Sequence, residues 1–190
     1  MNAYQQMLAT EGISEITVDL ESRRGGDTSG SETKWKVYYR LRSDPNCGVL
    51  LRHATQDIPL GQQIALLDAE LRNYGILRDS GFDVPKTATS IFTVVDHLAG
   101  GAQAAALVVE HVDGVGPYKA FTAARSIGKV IRDRAMGTDA TYRDAWQRLA
   151  TATSRIAPMD MQVLITDDGR IVTIDVEAIG PGRILPPLMI

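Results

Sequence analysis

At 190 residues, with 44% hydrophobic and 23% charged side chains, the chain has ordinary globular composition, enough for one domain or two small lobes around a packed core. Its net charge of −3 excludes a global basic field, so neither nucleic acid nor a membrane surface is an expected partner. The single cysteine, Cys47, excludes an intramolecular disulfide and any multi-cysteine metal site. It fits a reducing compartment. The first residues, Met1 to Gln6, lack the basic start and apolar run of a secretory signal, and no stretch reaches the roughly 20 apolar residues of a membrane span. A soluble, cytoplasmic protein is expected.

From Ile13 to Leu20 apolar residues (Ile16, Val18, Leu20) alternate with Thr17 and Asp19, which predicts a strand. Glu21 to Ser31 is a polar loop containing Gly25, Gly26 and Gly30. Lys34 to Arg42 is aromatic-rich and alternating, a second strand. Ser43-Asp44-Pro45-Asn46 is turn chemistry, and Gly48 to Ala54 is a third strand, giving an antiparallel meander. The period then changes. Ile64, Leu67, Leu71, Tyr74 and Leu77 recur at intervals of three and four, predicting a helix over Leu60–Ser80 that Gly81 stops and Pro85 continues as extended chain. Thr89–Val95 and Ala105–Val112 read as two more strands around Gly100-Gly101, and Gly114 to Pro117 as a hinge-like break. Tyr118–Arg134 and Ala140–Ile156 read as helices. Val163–Ile165 and Ile171–Ile174 form a hairpin through Asp167-Asp168-Gly169, and Gly180–Ile190, with three prolines, is expected to be irregular.

The expected fold is therefore α+β. Residues 1–113 would form a five-stranded antiparallel sheet with one helix. Residues 114–190 would form a reduced, mainly helical part with a late β-hairpin. A doubly wound sheet is excluded, because strands and helices do not alternate one for one.

This order, with the following residues, resembles the protein-kinase-like and aminoglycoside-phosphotransferase-like superfamily in a minimal, divergent form, over about Ile13 to Glu177. Val49-Leu50-Leu51-Arg52 stands where the family has its V-A-I-K strand, and Glu70 follows Arg52 by 18 residues, near the family's spacing from that lysine to its helix glutamate. Leu107 to Gly114 is similar to the apolar strand and hinge that receive adenine, which implies nucleotide contacts at Glu110 and Val112. Gln162-Val163-Leu164-Ile165 and Ile174-Asp175-Val176-Glu177 resemble the family's metal-binding pair, with Gln162 and Asp175 separated by the usual 13 residues. The resemblance implies ATP and Mg²⁺ as cofactors and an unknown protein or small molecule as acceptor. It is closest in size to small bacterial effector or toxin kinases, which also admits delivery into another cell by a non-classical route.

The sequence departs from the family at several positions. Five residues before Gln162, where the family keeps its catalytic Asp, stands Ala157. Arg52 fills the lysine slot and Gln162 the asparagine slot, and Gly25-Gly26-Asp27-Thr28-Ser29-Gly30 is not G-x-G-x-x-G. Asp160 is the candidate for a displaced catalytic base beside Asp175. These departures leave three readings open: a reduced kinase-like transferase, a pseudokinase-type interaction module, and nucleotidyl (AMP) transfer on the same fold.

Phosphoryl transfer asks a protein mainly to hold phosphates and neutralise their charge. Gln162 and Asp175 would lie a strand's width apart, about 5 Å, so that both oxygens could reach one Mg²⁺. Arg52, paired with Glu70, could place a cation on the phosphates, and the backbone at Gly25 and Gly26 could approach them. Each residue also has a plainer reading. Asp175 could be a turn residue, Gln162 a hairpin-end hydrogen bonder, and Glu70 a solvated charge near Asp68 and Arg72. Arg52 could be a basic residue of an edge strand, and Asp160 a loop residue. His53, His97 and His111 have no metal-ligand spacing, and no Gly-x-Ser-x-Gly is present.

Overall fold

Alternating apolar residues in the first half of the chain build one mixed sheet, seen in a computed structural model that describes residues 15–16, 20–23, 36–41, 44, 46–52, 58–96, 101–114, 140–159, 161–174 and 176–182. Its strands are β1 (Glu15–Ile16), β2 (Leu20–Arg23), β3 (Lys36–Leu41), β4 (Cys47–Arg52), β5 (Phe92–Asp96) and β6 (Ala102–Glu110). They lie in the order β1-β5-β6-β4-β3-β2. β3 pairs with β4 from Lys36↔Arg52 to Arg40↔Gly48, and β4 pairs with β6 from Cys47↔Glu110 to Leu51↔Ala106. The hairpin β5–β6 runs from Phe92↔Ala106 to Asp96↔Ala102. Helix α1 (Leu60–Asp79) connects β4 to β5.

Two expectations about this sheet are corrected. Ile13–Leu20 is not one strand: Glu15–Ile16 and Leu20–Arg23 join opposite edges of the sheet. The sheet is also not wholly antiparallel, because β1 runs parallel to β5, with Glu15↔Thr93 and Ile16↔Val94 in register. Alternation decides which face a residue takes but not which edge its strand joins. Five strands, β2-β3-β4-β6-β5, are antiparallel neighbours and β1 makes a sixth.

The chain divides into two compact units, residues 1–72 with 86–111, and residues 73–85 with 112–190. In the first, one face of the sheet buries Cys47, Val49, Leu51, Phe92, Val94, Ala104, Ala106 and Val108 in a single cluster with Leu41 and Ala88. Ala105, Leu107 and Val109 on the other face of β6 are buried too, which explains why that strand reads as a continuous apolar run.

The second unit contains α2 (Ala140–Thr153), β7 (Ile156–Pro158), β8 (Gln162–Ile165), β9 (Ile171–Ile174) and β10 (Ile179–Pro181). Helix α2 turns Tyr142, Ala145, Leu149 and Ala152 inward and lies against β7 and β9. It ends at Thr153 rather than Ile156, because Ile156–Pro158 pairs antiparallel with Ile179–Pro181. That ribbon includes residues expected to be irregular; its prolines sit in a two-stranded sheet, where a missing N–H can face outward. Gly81 closes α1, with φ of +94°. Phe82 N donates to Leu77 O and Gly81 N to Arg78 O, a Schellman ending in which Leu77 and Phe82 are both buried. The expected helix Tyr118–Arg134, the Val115–Pro117 part of the hinge and the tail beyond residue 182 lie outside the described residues.

Candidate functional site

Helix α1 buries Gln63, Leu67, Glu70, Tyr74 and Leu77, a face with the expected spacing but a shifted register. Ile64, expected on that face, is 37% exposed. Gln63 takes its place because both ends of its amide are satisfied. Its Nε2 donates to Ile58 O at 2.8 Å, and its Oε1 accepts from Ala105 N at 3.0 Å. Glu70 has no exposed surface and is engaged in a polar or electrostatic interaction. The reading of Glu70 as a solvated charge is therefore corrected: Asp68 and Arg72 pair with each other on the exposed side of the helix. Arg52 ends β4, opposite Lys36 on β3, so it is not on an edge strand. Its side chain lies outside the described residues.

At the end of β6, Glu110 is tied to the chain beside it. Its N donates to Lys86 O at 2.7 Å, and its carboxylate Oε2 accepts from Lys86 N at 3.1 Å. His111 N donates to Asn46 O at 2.8 Å, so two successive amides of this segment are used within the first unit. Val112, in the second unit, is buried. Tyr38 on β3 reaches over Gly48 to His111, and Cys47 is fully buried beside Asp44. Burial, and secondarily the charge of Asp44, push the Cys47 thiol up to about 12.

In the second unit, the β8–β9 hairpin forms with Gln162↔Ile174 at its open end and Ile165↔Ile171 near its turn. Gln162 is exposed there, and Ile174 is the residue before Asp175. The turn is closed by side chains. Thr166 donates its hydroxyl to Asp168, and this hydrogen bond is the chief reason the Asp168 carboxyl sits below its ordinary value. Gly169, with φ of +88°, provides the left-handed step. On the far side of Asp175, Val176 is fully buried, and the carbonyls of Val176 and Glu177 both accept from Asn73 Nδ2 at 2.9 and 3.1 Å. Sequence reading missed Asn73. Its only signal was an amide in a helix interior, three positions after Glu70. Ala157 is 1% exposed and pairs with Gly180.

Gly25, Gly26, Asp160 and Asp175 lie outside the described residues. Among the described residues no group of three or more His, Cys, Asp or Glu side chains could hold a metal ion, and no helix is long and apolar enough to cross a membrane. No family model matches the chain. No curated protein matches it either. Among solved structures it is similar to WaaP in complex with acyl carrier protein, with 14% identity and a TM-score of 0.42 over 83% of this chain. The chain spans 63% of that protein's length.

Proposed function

We propose that this chain is a kinase-like phosphotransferase of reduced size, binding ATP with Mg²⁺ and acting on a protein or small-molecule acceptor. The observation that carries this reading is Glu70, a carboxylate with no exposed surface on the helix that follows β4. A carboxylate left alone in such a place costs several kcal/mol, so a buried one is held by a cation or by strong donors. We assign that cation to Arg52, whose guanidinium would then be fixed to bind phosphate. An antiparallel five-strand array with a helix between its third strand and its fourth supports the same reading.

The other assignments follow the resemblance. Glu110 and Val112 would border the base, and Gly25 and Gly26 the phosphates. Asp160 would take the acceptor's proton. Gln162 and Asp175 would hold the metal, and one amide oxygen with one carboxylate suits Mg²⁺, which keeps several waters and takes phosphate oxygens as further ligands. Mg²⁺ when bound would neutralise phosphate charge. Residues 1–113 and 114–190 would be the two parts of one kinase-like domain.

A second reading, an interaction module without catalysis, is favoured by Ala157. The position where the resemblance calls for the catalytic Asp is a buried methyl group in β7. Nucleotidyl transfer would use the same nucleotide contacts.

A thermal-shift titration with ATP, with and without Mg²⁺, tests the proposal. A ligand at 100 times its dissociation constant stabilises by about 2.7 kcal/mol, a readily measured shift. The shift should require Mg²⁺ and be lost in Asp175→Ala. No shift at millimolar ATP under either condition would overturn the phosphotransferase reading in favour of the interaction module. A shift that survives Asp175→Ala would remove the metal role of that residue.

A further inference from the structure

We draw no further inference here: the strongest candidate, the polar groove beside α2 and the end of α1 lined by Ser80, Gln147, Arg148, Thr151 and Arg155, carries nothing because its arginines are exposed, its Ser80 and Thr151 hydroxyls donate to carbonyls of their own helices, and nothing in the structure shows what covers it.

Discussion

The hydroxyl of Tyr38 lies 2.7 Å from Nδ1 of His111, and the two rings stack with centroids 6.0 Å apart and an interplanar angle of 29°. The pair spans β4, and Gly48 makes the crossing possible: a Cβ there would stand 2.1 Å from the Tyr38 hydroxyl oxygen and 2.4 Å from two ring carbons. Gly48→Ala should therefore expel the tyrosine and cost about 1–3 kcal/mol, the range for overpacking. Urea unfolding measures it. In a Tyr38→Ala background the same substitution should become nearly neutral, and an undiminished cost there would show that something other than Tyr38 sets the constraint.

The sequence made the sheet's central strands legible because their burial follows their alternation, and it made α1 legible because its apolar residues recur at helical intervals. Partners were harder to read. Glu15–Ile16 is too short for alternation to name its neighbour, and Gly180-Pro181 reads as irregular chain. Gln63 displaces Ile64 from the buried face only because an amide donor and acceptor happen to be waiting for it, which no periodicity reveals. The candidate site shows the same division. Glu70 was singled out by its spacing from Arg52 but its burial was not foreseen, and the bonds of Asn73 could not be read because the carbonyls it binds are a hundred residues away and carry no side-chain signature.

Cys47 gives a pH prediction. Its thiol titrates near 9.0 when exposed and is pushed up to about 12 in the fold, chiefly by burial and then by Asp44. Between those values the unfolded chain gives up a proton that the folded chain keeps. Stability from this group is thus fully present below about pH 9 and falls as pH rises from there toward 12, by about 1.4 kcal/mol per unit. Unfolding free energies at pH 8 and 10.5 should differ more in the wild type than in Cys47→Ala. An equal pH dependence in the two proteins would refute the assignment. Native Cys47 should also resist alkylation at pH 8.

Tyr142 tests what orders the hairpin turn. The side chain is 1% exposed, and its hydroxyl donates to the carbonyl of Thr166, at the start of the turn. Tyr142→Phe removes that donor and leaves the carbonyl only the long bond from Gly169 N, at a cost of about 1 kcal/mol. Amide hydrogen exchange should rise first at Gly169 and Arg170, whose N–H groups bond to Thr166. Exchange that rises uniformly across the second unit would mean that the hydroxyl supports the whole unit rather than the turn in particular.

The last prediction concerns the proposed partner of Glu70. A buried carboxylate paired with one cation behaves differently from one held by neutral donors. Removing one member of an ion pair strands the other, a penalty of about 3–5 kcal/mol, while removing both restores much of the loss. Glu70→Gln and Arg52→Met should each destabilise strongly, and the double variant should be more stable than the sum of the single losses predicts, by at least about 1 kcal/mol. Glutamine keeps the volume of the glutamate, so the comparison reports charge rather than a cavity. Urea unfolding of the four proteins closes the cycle. Losses that add to within about 0.5 kcal/mol would show that Arg52 is not the cation for Glu70. That outcome would remove the phosphate-facing pair from the first unit, whatever the nucleotide titrations show.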